Sequence, residues 1–211
     1  MANRIDHFTL GAKDLTSGRA ALEELLGVTL PMGGKHPAMS THNCLTATGT
    51  GQFMELISVD HDAPEPDRIR WFSLDEERTI ERLAKRPRAL CWVVDTDDLD
   101  ALVANSPIDL GEVIHLSRGD RTWRLTVPKD GSLGEHGLIP AFIEWSPGPH
   151  PSTVQADVGI RLEAIKLTHP DPQWLTEIFD ALDILHLVSI DKGAHALSFD
   201  VTSPKGPVTL D

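Results

Sequence analysis

Two segments of the sequence place a glutamate inside a run of apolar residues. Glu55 lies in FMELIS and Glu144 in AFIEW, and both segments have the residue types of a buried strand. A buried, ionised carboxylate must be paired, hydrogen-bonded or bound to a metal ion, because its unpaired desolvation costs several kcal/mol. Each glutamate could therefore be a structural ion-pair partner, of Arg121, Arg124 or Lys166, or part of a functional site.

His7 adds a nitrogen donor to these carboxylates. It lies in IDHFTLGA, a predicted strand, on the face that it shares with Ile5 and Thr9. A lone histidine there is more often a core residue than a ligand. Together with Glu55 and Glu144, however, His7 predicts a site for a divalent metal such as Mn, Fe, Ni or Zn, in which either glutamate could also act catalytically as a proton shuttle.

The order of predicted elements indicates that one module is repeated. A strand, a helix and about three strands follow one another in residues 1–60, and the same order returns in residues 89–147. Aligning the two copies pairs His7 with Cys91 and Glu55 with Glu144. If the copies are related by a pseudo-two-fold axis, the two glutamates would face one another across it.

The remaining segments differ from these modules. Residues 61–88 are charged and contain proline, which predicts a connector with a short helix. Residues 158–211 read again as strand, helix and strands, but Ala164 stands at the position that matches His7, and the final strand carries no glutamate. We interpret them as a third, partial module with a structural or lid role.

Further candidates lie between the predicted strands. A segment rich in glycine and proline, Gly33 to Asn43, is predicted to be a loop. In that loop His36 is a candidate acid or base, and His42 and Asn43 are candidate substrate contacts, although exposed loop histidines without a function are an equal alternative.

The connector supplies a second group of candidate substrate contacts. Arg70 is a candidate anion anchor, and Trp71 with Phe72 could form an apolar wall. The segment that carries them could close a cleft formed by the modules.

Composition excludes several classes of function. The 211 residues carry a net charge of −13, which argues against nucleic-acid binding. Two cysteines give no disulfide framework, and the sequence has neither a signal-peptide pattern nor an apolar run of about 18 residues. We expect a soluble cytoplasmic protein that binds a small molecule.

These residues resemble those of the vicinal-oxygen-chelate superfamily, and within it the glyoxalase-like domain proteins. The resemblance rests on the repeat across residues 4–146 and on the segments GGKHPAMSTHN and RWFSLD. It implies an α+β fold in which paired βαβββ modules form an open, cupped mixed sheet. It also implies a divalent metal in the cleft, held at the positions of His7, Glu55 and Glu144.

The resemblance implies a metal-dependent lyase, isomerase or related enzyme that acts on a small oxygenated substrate. It is also compatible with a homodimer. Cys91 stands where extradiol dioxygenases and glyoxalase I have a histidine, which weakens both of those specific readings. A non-catalytic protein of the same fold that binds or sequesters a small molecule is the alternative, and the acidic composition would suit a cationic ligand.

Overall fold

An eight-stranded mixed sheet and a separate four-stranded sheet form the β-structure of residues 3–211, which the computed structural model describes. The large sheet has the order β2-β3-β4-β1-β5-β8-β7-β6, so each half repeats the other about its centre. The first strand of each half pairs in parallel with the last, and the two first strands pair antiparallel in the middle. The paired βαβββ modules and the cupped mixed sheet are therefore confirmed.

The strands of the large sheet are β1 (Arg4–Gly11), β2 (Met32–His36), β3 (Thr41–Gly49), β4 (Gln52–Val59), β5 (Arg88–Asp95), β6 (Glu112–Arg118), β7 (Arg121–Val127) and β8 (Ala141–Trp145). The small sheet contains β9 (Arg161–His169), β10 (Ser189–Lys192), β11 (Ala196–Ser203) and β12 (Gly206–Leu210). The helices are α1 (Leu15–Leu26), α2 (Glu77–Leu83), α3 (Leu99–Asn105) and α4 (Pro172–Ala181).

The module helices begin at aspartate caps that the sequence places after each first strand. The side chain of Asp14 accepts a hydrogen bond from the amide of Ser17, and Asp98 accepts one from the amide of Ala101. Helix α1 ends at Gly27, whose φ of 72° suits a residue without a Cβ atom. No helix within residues 3–211 has both the length and the hydropathy that crossing a membrane requires.

Strand alternation divides the large sheet into two buried faces. Side chains such as Phe8, Met54 and Trp92 enter the core under the helices and the small sheet. The opposite, concave face carries its own apolar cluster, which includes Val93 and Ile143. The connector side chains Trp71 and Phe72 pack on part of this concave face, and they leave a cleft between the two modules.

The C-terminal unit repeats the order of elements in the modules but not their pairing. Its sheet has the order β10-β9-β11-β12, in which the first strand β9 lies between β10 and β11. It packs on the outer face of the large sheet, where Phe199 lies 4.9 Å from Phe8 and Phe179 lies 5.9 Å from Trp92, measured between ring centroids. This position favours the structural role over the lid role.

The segment that we expected to be a loop contains strand structure. His36 is the last residue of β2, and His42 and Asn43 belong to β3, which pairs with it. The glycines that suggested a loop have a packing reason instead. A Cβ atom on Gly33 would lie 2.2 Å from Oδ1 of Asn43, so only glycine lets that side chain lie across β2.

Candidate functional site

A cleft of about 480 Å³ opens on the concave face between the two modules. The first module contributes its polar side chains, whereas the second contributes mostly apolar and aromatic ones. The lining residues are His7, His36, Asn43, Leu45, Phe53 and Glu55 from the first module, Trp71 and Phe72 from the connector, and Arg118, Trp123, Leu125, Ile143 and Trp145 from the second. The cleft thus has one polar wall and one apolar wall.

An irregularity in β1 brings Asp6 and His7 together. The pairing with β5 shifts between Ile5 and His7, so Asp6 is an extra residue in the strand. Such a bulge re-aims side chains, and here Oδ1 of Asp6 lies 2.5 Å from Nδ1 of His7 although the two residues are neighbours in sequence. The ring of His7 also stacks on Phe53, with 4.5 Å between centroids, so its orientation is fixed from two sides.

Asp6 is fully buried and remains ionised. Burial alone would raise its pKa, but hydrogen bonds from His150 and His7 outweigh that effect and lower the pKa to about 2. The indole N–H of Trp145 donates a further bond of 2.6 Å to the same carboxylate. Because an ionised carboxylate can only accept, Nδ1 of His7 carries a proton and donates it to Asp6.

Glu55 is held on both of its carboxylate oxygens. The side-chain amide of Asn43 donates to Oε1 at 2.6 Å, and the hydroxyl of Thr9 donates to Oε2 at 3.2 Å. Glu55 is buried and lies on β4, directly beside Thr9 of β1 in the parallel pairing. The carboxylate therefore has a defined orientation toward the cleft.

His7 and Glu55 face one another across a short gap. Nε2 of His7 lies 3.7 Å from Oε2 of Glu55, which is longer than a hydrogen bond. Because Nδ1 of His7 is occupied by its hydrogen bond to Asp6, Nε2 is the ring nitrogen that can bind a ligand beside the Glu55 carboxylate. A cation could satisfy both, since two metal–ligand bonds of about 2.1 Å can span this distance. A carboxylate behind a ligating histidine is also a common support of metal sites. The residues of the first module therefore fit two positions of a divalent metal site.

His36 lies beside this pair on the polar wall of the cleft. Burial lowers the pKa of His36 to about 4, and the positive charge of Arg118 acts in the same direction, so the ring is neutral at pH 7. Its Nδ1 lies 3.0 Å from the hydroxyl of Thr41, and its Nε2 lies 3.4 Å from the side-chain nitrogen of Asn43. A neutral imidazole in this place can accept or donate one hydrogen bond to a ligand.

The cationic side chain of the cleft is Arg118, not the predicted Arg70. Arg70 is buried outside the cleft, and its guanidinium donates to Asp75 and Glu65 at 2.8 and 2.7 Å. Arg118 reaches instead from β6 across the mouth of the cleft, where a Cβ atom on Gly34 would lie 2.9 Å from its Nη1. The expectation that Arg70 anchors an anion is corrected on this ground.

Glu144 lies on the opposite face of the sheet from Glu55. Its neighbours Ile143 and Trp145 line the cleft, so Glu144 points to the outer side. There its Oε2 accepts hydrogen bonds from the amide of Leu99, at the start of α3, and from Arg124, both at 2.8 Å. The expectation that the two glutamates share a metal is corrected, because Glu144 instead stabilises a helix terminus.

Neither Cys91, which aligns with His7 in the repeat, nor the predicted substrate contact His42 lines the cleft. Cys91 is buried beside Thr9, and burial together with the nearby charge of Glu55 raises the pKa of its thiol, so it stays protonated and is a poor metal ligand. His42 lies on the face of β3 opposite to Asn43, within electrostatic reach of Asp14. The predicted residues that the structure does bring together are His7, His36, Asn43, Glu55 and Trp71.

Sequence reasoning missed Asp6, His150 and Arg118. Asp6 could have been suspected as the carboxylate next to His7, but strand alternation places adjacent residues on opposite faces. His150 lies in the linker after β8, and its Nε2 donates to Oδ2 of Asp6 at 2.9 Å. No local pattern marks that contact, because it depends on where the linker crosses the sheet.

The fold and the cleft define a class of protein, that of the vicinal-oxygen-chelate fold. A family model described as a glyoxalase-like domain matches residues 5–182. The chain belongs to the glyoxalase-like domain family.

Among solved structures, the chain is similar to a hypothetical protein from Staphylococcus aureus, with a TM-score of 0.58 and 13% identity over 99% of this chain and 84% of that one. It is also similar to methylmalonyl-CoA epimerase from Mycobacterium tuberculosis, with a TM-score of 0.44 and 15% identity over 71% of this chain and 91% of that one. A third similar structure is a variant of methylmalonyl-CoA epimerase from Streptomyces coelicolor in complex with 2-nitronate-propionyl-CoA. Its TM-score is 0.42 and its identity is 15%, over 72% of this chain and 100% of that one. No curated protein matches the sequence.

Proposed function

We propose that this protein is an enzyme that moves a proton on a small, oxygenated, anionic substrate, assisted by a divalent metal ion. The observation that carries the proposal is the pair formed by His7 and Glu55, whose Nε2 and Oε2 atoms lie 3.7 Å apart and face the cleft. His7 and Glu55 would hold the ion. When bound, the ion would polarise substrate oxygens and stabilise negative charge that develops on them.

Glu55 would hold the ion through Oε2, the atom that faces His7, and would accept the proton on its other oxygen, Oε1. A proton on a carbon next to a carbonyl passes to the Glu55 carboxylate, and the electron pair of that C–H bond moves onto the carbonyl to give an enolate. Returning the proton to a different atom of the enolate completes an isomerisation, whereas return to the original carbon from the same side only exchanges the proton with solvent. Asn43 and Thr9 keep the carboxylate aimed during both steps, because each donates to one of its oxygens.

Three other side chains would bind the substrate. Arg118 would pair with a carboxylate or another anionic group at the mouth of the cleft. The neutral ring of His36 would contact a substrate oxygen. Trp71 is 3% exposed, and its indole N–H has no hydrogen-bond partner within residues 3–211, which makes it a further candidate donor.

The apolar wall favours a second candidate function. Where the first module presents His7 and Glu55, the second presents Ile143, Leu125 and Trp145, so metal ligands come from one side of the cleft alone. A protein that binds or sequesters an apolar molecule without transforming it needs only such a wall. The two functions differ in whether the protein transforms its ligand, which requires Glu55, or only binds it.

Solvent exchange separates these functions without knowledge of the product. Small 2-oxo acids, 2-hydroxy acids and acyl thioesters are incubated with the protein and Mn²⁺ in D₂O, and the loss of the C–H signal next to the carbonyl is followed by NMR. We expect exchange with the wild type and with Glu144→Gln, and none with Glu55→Gln. Exchange that survives in Glu55→Gln contradicts the enzyme proposal, and ligand binding without any exchange favours the binding protein.

A further inference from the structure

A second group of metal-binding side chains lies outside the cleft. Oε2 of Glu135 is 3.1 Å from Nε2 of His195 and 3.4 Å from Nε2 of His169. One ligand atom from each of the three residues lies within 4.8 Å of the others. They come from three separate segments, namely the turn before β8, the end of β9 and the turn before β11.

The ring of His169 is held in one orientation by its neighbours. Its Nδ1 lies 2.7 Å from the carbonyl oxygen of Asp171 and 3.0 Å from the amide nitrogen of the same residue. With Nδ1 held by the backbone of Asp171, Nε2 is the ring nitrogen that faces the carboxylate of Glu135. Stacking on Trp174, at 5.3 Å and 23°, fixes the ring plane, and the side chain is 8% exposed.

His195 is positioned by its neighbours as well. Its ring packs edge-on against His169, at 4.7 Å between centroids, and against His136, at 4.9 Å. The side chain is 29% exposed and that of Glu135 is 36% exposed, so the three ligand atoms remain accessible from solvent. An ion could therefore enter without unfolding of either sheet.

We propose that Glu135, His169 and His195 bind a zinc ion, which ties the C-terminal sheet to the turn before β8. Two imidazole nitrogens and one carboxylate oxygen are a common zinc ligand set, with water at the fourth position. The geometry agrees with this ligand set, because Nε2 of both histidines faces the same carboxylate oxygen of Glu135, at 3.1 and 3.4 Å.

This site is separate from the cleft. The turn that carries Glu135 continues into Leu138, which is buried in the core on the outer face of the large sheet. The carbonyl of Leu138 accepts a hydrogen bond of 2.8 Å from the indole of Trp92 in the same core. Zinc bound here would hold together the two sheets, whereas the cleft lies between the modules on the other face.

Calorimetric titration with Zn²⁺ of protein first freed of metal with EDTA tests the site, with thermal unfolding measured in parallel. The Glu55→Gln variant is used as the parent, so that the cleft does not contribute. We expect one equivalent of Zn²⁺ to bind and the melting temperature to rise by about 5 to 10 °C at a 100-fold excess over Kd. Adding His195→Gln should abolish both effects, and adding His115→Gln, an exposed histidine on β6, should preserve both.

Glu135→Gln provides a second variant in case His195→Gln disturbs the turn before β11. It should weaken Zn²⁺ binding by at least about tenfold while the circular dichroism spectrum stays that of the parent. Three results would overturn the proposal: Zn²⁺ binding that is as tight in both variants as in the parent, a parent that binds no Zn²⁺, and a parent whose melting temperature Zn²⁺ does not raise.

Discussion

Glu55 and Glu144 occupy equivalent places in the two module sequences, yet their carboxylates lie on opposite faces of the sheet. Glu55 lines the cleft, whereas Glu144 binds the start of α3. In a strand, a shift of one residue exchanges the two faces. On the face of the sheet that lines the cleft, the position of Glu55 is taken in the second module by a neighbour of Glu144, such as Ile143. The polar site is consequently built by the first module.

Removing the Glu144 carboxylate should affect stability and leave the cleft unchanged. Glu144→Ala deletes the acceptor for the Leu99 amide and one partner of Arg124, so we expect the free energy of unfolding to fall by about 1 kcal/mol. Urea denaturation measures it. Asp100→Ala is the control, because it removes only the exposed pair with Arg124 and should cost less. Weaker Mn²⁺ binding by Glu144→Ala would show that the glutamate serves the cleft after all.

Asp6 should act through His7 without touching the ion. Asp6→Asn takes away the carboxylate that fixes the proton on Nδ1, so Mn²⁺ affinity in the cleft should fall about 10- to 100-fold by calorimetry. The matched control is Asp95→Asn, a buried carboxylate on β5 that pairs with Arg4 and not with His7. Equal losses in both variants would indicate a general effect of buried charge.

The buried ring of His36 should make folding stability fall in acid. Its folded pKa of about 4 lies below the ordinary value of 6.5, so between these values the unfolded chain binds a proton that the folded chain does not. The stabilisation is complete above pH 6.5 and is lost as the pH falls toward 4, by about 3 kcal/mol. Urea denaturation measures the free energy of unfolding at pH 7 and at pH 4. Its decrease between these two pH values should be smaller in His36→Asn than in the wild type by about 3 kcal/mol. The same decrease in both proteins would mean that His36 titrates normally.

Arg118 should determine the preference for anions. Arg118→Gln removes the cation at the mouth of the cleft, and we expect oxalate, a small dianion with neighbouring oxygens, to bind about tenfold more weakly in the presence of Mn²⁺. Arg121→Gln is the control, since Arg121 lies opposite Arg118 on the same hairpin and does not line the cleft. If both variants bind oxalate equally, the effect comes from net charge and not from a specific contact.

Local patterns in the sequence were sufficient to predict the paired modules. Runs of apolar residues predicted strands such as β4, and leucines at helical spacing, Leu15, Leu22, Leu25 and Leu26, predicted α1. All of these leucines except Leu25 lie on the buried face of that helix. The pattern failed at β2, where Gly33 and Gly34 suggest a loop although they permit close packing. The module boundaries at residues 60, 88 and 147, and the homodimer, stay predictions.

The candidate site was only partly predictable, because its remaining features depend on strand pairing and tertiary contacts. The bulge at Asp6 follows from the register of β1 against β5, which residue types do not encode locally. Register also decided that Glu144 faces outward. The cluster of Glu135, His169 and His195 forms only where the C-terminal sheet meets the turn before β8, so its members are far apart in sequence.

Calorimetric titration with Mn²⁺ shows whether His7 and Glu55 together bind a metal ion in the cleft. All proteins carry His195→Gln, so that the proposed zinc site does not contribute. We expect one equivalent of Mn²⁺ to bind to this parent and to the parent with Glu144→Gln, and none to bind when Glu55→Gln or His7→Gln is added. Undiminished binding with Glu55→Gln, or binding lost with Glu144→Gln, would contradict this expectation.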